Sequence, residues 1–301
     1  MHPVLRWTAR ILGGLLMLLL VALAALYGAS EVRIRRTYDV PAAALAIEPS
    51  AALVEEGRHL AITRGCVDCH GESLAGKSFL DEAPLARLWA SNLTSGEGGA
   101  ARKYGDAELA RIIRHGVRGD GRSVLFMPVQ DYHGLSDADV AALIAYIRSV
   151  PSVDGATPES SVGPVGRALY LAGQFPLLPA ELIDHNAPRA PAPERGPTAE
   201  YGKYVAATCT GCHGPGFSGG KIPGAPPTAP AAANLTPDRE TGLGAWTEED
   251  FFRALRTGVR PDGRALDGFM PWKLTAQMTD DEIRALWLYL QSVPARPSGQ
   301  R

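Results

Sequence analysis

Two five-residue stretches, CVDCH at 66–70 and CTGCH at 209–213, hold all four cysteines of this 301-residue chain. In both, a histidine follows the second cysteine directly. Each stretch must therefore present two thiols and an imidazole within little more than one helical turn. The first cysteines are 143 positions apart, and the text around them repeats at that offset. LSDADVAALIAYIRSVP (135–151) aligns with MTDDEIRALWLYLQSVP (278–294), and YGDAELARIIRHGVRGDGR (104–122) with WTEEDFFRALRTGVRPDGR (246–264). FMP at 126–128 returns at 269–271, and NLT at 92–94 returns at 234–236. EEGRHLAITRGCVDCHG (55–71) matches AEYGKYVAATCTGCHG (199–214) more loosely. One domain of about 100 residues occurs twice, a period too long for a solenoid.

Each copy predicts the same order of elements. A helix at about 53–65 or 198–208 leads into the cysteines, and a Gly/Pro-rich loop follows. A short amphipathic helix comes next, at about 106–115 or 248–257, started by Asp106 or Thr247 and ended by Gly116 or Gly258. The last helix begins at Ser136 or Thr279, with a capping box of Thr279 and Glu282, and stops at Pro151 or Pro294. Strand alternation is not convincing anywhere, so the class read from the sequence is all-α.

Residues 11–29 carry no charge and, as a helix, span roughly 28 Å, close to a bilayer's hydrocarbon thickness. Arginines flank the run on both sides. An uncleaved anchor and a cleaved signal sequence are both open, and the length favours the anchor. Either exports the remainder. The expected organisation is an N-terminal membrane segment at 1–30, a stalk at 31–52, a first domain at 53–152, a Pro-rich segment at 153–197 and a second domain at 198–296. The middle of the Pro-rich segment, about 165–183, is apolar and should pack on one or both domains. A net charge of −2 argues against a nucleic-acid partner. Residues 37–301 alone carry 25 basic and 31 acidic groups, which suits a basic docking partner.

The cysteines admit several chemistries. Disulfides within each pair would be strained and leave the histidines unexplained. A zinc site would have to bridge two pairs far apart in the chain, and a thioredoxin-like dithiol needs a βαβ setting that is absent. CxxCH is the attachment signature of c-type haem. Two thiols add to the two vinyl groups of one haem, and the next histidine reaches one axial face of the iron. The reading is two covalent haems, on Cys66, Cys69 and His70 and on Cys209, Cys212 and His213. Met127 and Met270 each lie 57 positions beyond their histidine, inside the repeated FMP. The other three of the five methionines are the initiator, one in the apolar run and one matched by Leu135. Met127 and Met270 are therefore the expected second axial ligands, a soft thioether that raises the reduction potential relative to histidine. His133 and His185 stay as alternatives for a bis-histidine haem. His59 and His115 are matched by Tyr204 and Thr257 and do not look like shared ligands. Asn92, Asn234, Arg122 and Arg264 are weak candidates for the haem propionates, and Tyr104 and Trp246 for packing at the haem edge.

The text CxxCH, NLTPDRETGLGAWTEEDFFRALRTGVRPDG, FMPW and the closing SVP helix resembles class I cytochrome c domains. More narrowly, it is similar to the multihaem cytochrome c subunits of membrane-bound alcohol, aldehyde and gluconate dehydrogenases. The resemblance implies two tandem helical bundles, each around one haem, and a proline carbonyl orienting the proximal histidine, with Pro84 and Pro226 as candidates. It also departs from that pattern: those subunits typically carry three haem domains and often a C-terminal anchor.

With both axial positions filled, the expectation is electron transfer rather than catalysis: a membrane-anchored dihaem carrier in a periplasmic respiratory chain. Its partners would be a dehydrogenase, an oxidase or another cytochrome. The alternative is a dihaem peroxidase, which needs one haem with a displaceable, commonly histidine, ligand. A thiosulfate-oxidising dihaem enzyme would need a spare cysteine, and a sensor would need an output domain.

Overall fold

The computed structural model describes residues 3–188, 191–226 and 228–300, so Met1 and His2 of the N-terminal segment and residues 189–190 of the Pro-rich segment fall outside it. The apolar run forms one helix, α1 (Pro3–Ile34). Its most apolar window has mean hydropathy 2.4 and none of it is buried. Among the described residues it is the one helix long and apolar enough to cross a membrane.

The first unit contains α2 (Ala51–Thr63), α3 (Cys66–His70), α4 (Ala100–Lys103), α5 (Asp106–His115), α6 (Val129–Tyr132) and α7 (Asp137–Ser149). After α8 (Pro164–Leu171) comes the second unit: α9 (Ala199–Val205), α10 (Thr210–His213), α11 (Glu248–Thr257), α12 (Trp272–Thr275) and α13 (Asp280–Ser292). In each unit the leading helix crosses the last one at a glycine. A Cβ on Gly57 would lie 1.9 Å from the Ala142 carbonyl oxygen, and one on Gly202 the same distance from that of Ala285. Only a missing side chain permits that approach. Around each crossing lies an apolar core: Leu60, Val140, Leu143 and Ile144 in the first unit, Val205, Ile283, Leu286 and Leu290 in the second. Each fully buried aliphatic contributes about 1.5–3 kcal/mol.

The caps follow the sequence closely. Gly116 and Gly258 close α5 and α11 at φ 64° and 69°, in the left-handed region. Thr279 and Glu282 form the capping box of α13, and Thr247 caps α11 with Asp250. In the first unit, however, Gly105 rather than Asp106 occupies the cap position, with Glu108 bonding back to its N–H. Arg114 in α5 and Arg256 in α11 donate to the carbonyls of Leu135 and Met278, clamping each middle helix to the start of the last one.

The all-α expectation needs correction. β1 (Lys77–Glu82), β2 (Ala86–Ala90) and β3 (Ser161–Val162) form a small antiparallel sheet on the first unit. Its buried face, Ala86 and Leu88, packs under Tyr170, Phe175, Leu177 and Leu178. Those covering residues lie about 80–90 positions downstream, in the segment between the repeats, and a bulge at Ser78/Leu80 breaks the alternation. Neither signal is local. The stalk expectation also changes. Tyr38 N–H bonds to the Gly121 carbonyl, Val40 is buried against Val117 and Ala180, and Leu45 and Ile47 pack on the first core. Residues 37–47 are thus laid onto the first unit. The apolar middle of the linker covers the sheet through Tyr170, Phe175, Leu177 and Leu178, and it also ties to α1: Arg167 bonds Ser30 and Glu31, and Arg33 pairs with Glu181.

Candidate functional site

The residues of each CxxCH stretch lie on one short helical run: α3 in the first unit, and a 3₁₀ turn (Ala206–Cys209) passing into α10 in the second. Gly71 and Gly214 end these turns with φ of 81° and 79° and ψ of 160° and 162°. The amides of Gly76 and Gly219 then bond back to the carbonyls of His70 and His213 at 2.8 and 2.9 Å. None of the four thiols is in a disulfide, and all are half-buried. Burial pushes the Cys66 thiol up to about 12, and those of Cys69 and Cys209 up to about 11. These three are held as neutral thiols.

Both histidines are oriented alike. His70 Nδ1 lies 2.7 Å from the Ser91 carbonyl and His213 Nδ1 2.8 Å from that of Ala233. A carbonyl only accepts, so Nδ1 carries the hydrogen and Nε2 holds the lone pair. Burial lowers the pKa of His70, against the Ser91 carbonyl, and keeps the imidazole neutral. The expectation of Pro84 and Pro226 as orienting carbonyls is overturned; Pro84 instead occupies the turn between β1 and β2. The true acceptors immediately precede NLT in both copies, a repeated position that the sequence displayed without naming its role. NLT itself is a latch. Asn92 and Asn234 accept from the amides of Thr94 and Thr236, and donate to the carbonyls of Val153 and Arg296 beyond the last helices. Both asparagines are buried and committed to backbone, which corrects the propionate reading for them. Arg264 is exposed and paired with Asp262, and Arg122 forms a tight turn with Asp120.

Met127 packs against the first core together with Cys66, and Met270 against the second core together with Cys209. Each methionine thus shares a cluster with the leading cysteine of its own CxxCH. Tyr104 and Trp246 pack in the same two clusters. The proline after each methionine has φ −77° with ψ of 62° or 55°, and the amide beyond it bonds the methionine carbonyl at 2.8 Å. That is an inverse γ-turn, and the proline ring fixes it in both units.

The two sites meet across the seam between the units. Arg64, two residues before Cys66, is 3% exposed. Its Nη1 donates to the Val205 carbonyl of α9, while Nε and Nη2 have no hydrogen-bond partner. Tyr132 donates its hydroxyl to the Arg64 carbonyl. Asp131, on the helix that follows Met127, accepts from Thr210, inside the second CxxCH. Burial pushes the Asp131 carboxyl up to about 7, against the Thr210 hydrogen bond. Arg118 and Arg260, at matching positions after α5 and α11, pair with Asp120 at 3.6 Å and Asp262 at 3.8 Å, while the Nε of each makes no hydrogen bond. Sequence reasoning missed these three arginines.

The family model for cytochrome c matches residues 54–151 and again 199–294, nearly two-thirds of the chain. The chain belongs to the cytochrome c family. Among similar proteins, the cytochrome c subunit of a quinone alcohol dehydrogenase from Gluconacetobacter polyoxogenes is 31% identical, over 85% of this chain and 60% of that subunit. The fructose dehydrogenase cytochrome subunit of Gluconobacter japonicus is 29% identical, over 91% of this chain and 59% of that subunit. A dihaem cytochrome c-type protein of Cereibacter sphaeroides is 28% identical over 63% of this chain. The chain spans about three-fifths of the length of the first two relatives. Cytochrome c domains carry covalent haem c, and the residues present fit that group. Paired thiols outside any disulfide lie in the same turn as an Nε2 lone pair fixed by a backbone carbonyl, and the buried Nε and Nη2 of Arg64 have no hydrogen-bond partner.

Proposed function

We propose that this cytochrome c is a dihaem electron carrier, built as a tandem duplication of one domain and anchored by α1. Residues 53–152 and 198–296 are the two haem domains, joined by the 153–197 segment. Cys66 and Cys69 hold the first haem and Cys209 and Cys212 the second. His70 and His213 are the proximal iron ligands, and Met127 and Met270 the distal ones. When bound, haem c supplies an iron that cycles between two oxidation states. The protein keeps the donors in place. The Ser91 and Ala233 carbonyls hold each Nδ1–H, so Nε2 is the ligating atom. The γ-turns at Pro128 and Pro271 fix the loops that carry the thioethers. With two donors assigned to each iron, no position is reserved for a substrate, which sets this reading apart from a peroxidase.

The observation that carries the proposal is the recurrence in both units of a CxxCH histidine held by a backbone carbonyl and of a methionine, on a proline γ-turn, in the core cluster of the leading cysteine. The contact of the Met127-bearing segment with the second CxxCH, through Asp131 and Thr210, supports a path for the electron between the two sites. The likeness to dehydrogenase cytochrome subunits supports a catalytic dehydrogenase subunit as electron donor. The length of the apolar run supports α1 as an inner-membrane anchor, and the attachment of c-type haem outside the cytoplasm supports haem domains in the periplasm. An acidic exported part suits a basic docking partner with salt-sensitive association.

A spectroelectrochemical titration with covalent haem quantified on the same sample tests the reading. Two haems titrating at positive potentials with methionine-ligated spectra are expected. One strongly negative, histidine-ligated haem would overturn it.

A further inference from the structure

Three histidines that play no part in either CxxCH site come together on the first unit. His115 is the last residue of α5, His133 follows α6, and His185 lies in the segment between the repeats. His115 Nδ1 and His185 Nδ1 are 3.1 Å apart. The ring centres of His115 and His133 are 5.1 Å apart, and those of His115 and His185 5.3 Å. All three side chains are half-buried.

The geometry points to His115, His133 and His185 as the ligands of one divalent transition-metal ion of the zinc–copper class. Two imidazole nitrogens bound tetrahedrally to one ion at ~2.05 Å lie ~3.3 Å from each other, and their ring centres ~5.2 Å apart. The observed separations match both values. Two neutral rings facing through Nδ1 must share one proton, one as donor and one as acceptor. A cation replaces that proton and uses both Nδ1 lone pairs. His133 is already set in the ligating tautomer. Its Nδ1 donates to the Arg114 carbonyl at 2.9 Å, so Nε2 carries the lone pair. Burial holds His185 toward its neutral form, and nearby His133 adds to this, while the Ala180 carbonyl and Asp184 oppose it.

Among the described residues no group of three donors is arranged to hold a metal as it stands, so binding requires the side chains to rotate. Three imidazoles leave a fourth position for water. The second unit has no counterpart: Thr257 and Ala276 stand where His115 and His133 stand in the first. A bound ion would fasten the linker to the ends of α5 and α6. Since α6 follows Met127, the ion would brace the loop that carries that methionine.

The test uses the full-length, haem-loaded chain in detergent, without a polyhistidine tag, stripped with chelator and titrated calorimetrically with zinc sulfate. Haem loading commits His70 and His213 elsewhere. One zinc per chain is expected, with affinity falling about tenfold or more in His115→Gln, His133→Gln and His185→Gln and unchanged in His59→Gln. Absorption spectra and haem content verify folding of each variant. X-ray absorption at the zinc edge of the unaltered protein should count three imidazoles, a readout independent of the variants. No retained zinc, fewer than three imidazoles, or unchanged binding in the His133 and His185 variants would overturn the assignment.

Discussion

His59 Nε2 in α2 lies 2.8 Å from Glu282 Oε2 at the third residue of α13, on the other unit. Tyr204, the counterpart of His59, donates to Asp139, the counterpart of Glu282, in the opposite direction across the same seam. Each leading helix thus caps the last helix of the other unit, and the interface has approximate two-fold symmetry built from a repeat. Arg195 adds to one side, pairing with Glu56 and Asp139 at 2.6 and 2.8 Å. The two units dock at the ends of the helices that lead into the CxxCH turns, which fixes one turn against the other.

This seam is pH-sensitive in a defined direction. Burial alone would raise the Glu282 carboxyl, but the hydrogen bond and charge of His59, with the Thr279 amide, outweigh it and hold the pKa below the ordinary 4.5. A lowered folded pKa gives stability that is present above 4.5 and lost as pH falls through the folded value. Glu282→Gln should cost about 1–3 kcal/mol near neutrality and remove this part of the acid dependence. Thermal unfolding of both proteins between neutral and acid pH checks it; parallel curves would exclude the contribution.

Asp131 behaves in the opposite sense. Its folded pKa of about 7 lies above the ordinary 3.8, so the folded state binds a proton that the unfolded chain has lost. Stability therefore declines as pH rises between those values. Asp131→Asn should unfold like the parent in acid and exceed it by on the order of 2 kcal/mol at pH 8. Equal stability at pH 8 would show the carboxylate to be solvated there.

Gly202→Ala should be severely destabilising, by about 3 kcal/mol or more, because the new methyl meets the Ala285 carbonyl. Gly268→Ala, with nothing within 4 Å of the added Cβ, should change little. Denaturant midpoints of the two variants make the comparison, and a tolerated Gly202→Ala would mean that α9 and α13 separate readily.

Met270→His should keep covalent haem but lower the potential of the second site, since imidazole replaces thioether. Redox titration of the variant reads this directly. An unchanged potential removes Met270 as a ligand.

Arg64→Met should lower both reduction potentials, on the order of tens of millivolts, because a buried cation between the sites favours the reduced iron. The same titration measures it. Unchanged potentials would show that the Arg64 charge is screened from both sites.

The sequence by itself determined the repeat, the thiol–imidazole turns, the methionine positions, the helix caps and the apolar N-terminal helix. These are local or periodic signals, and the repeat shows all but the N-terminal helix twice. Only the tertiary structure decided which carbonyls orient His70 and His213, because Ser91 and Ala233 reach back from loops 21 and 20 residues downstream. It also revealed the small sheet, whose buried face is covered by distant linker residues, and the laying of residues 37–47 onto the first unit. The seam was illegible for the same reason. Its contacts join residues as far apart as His59 and Glu282, and no period or propensity encodes a pairing that forms only when two folded units dock.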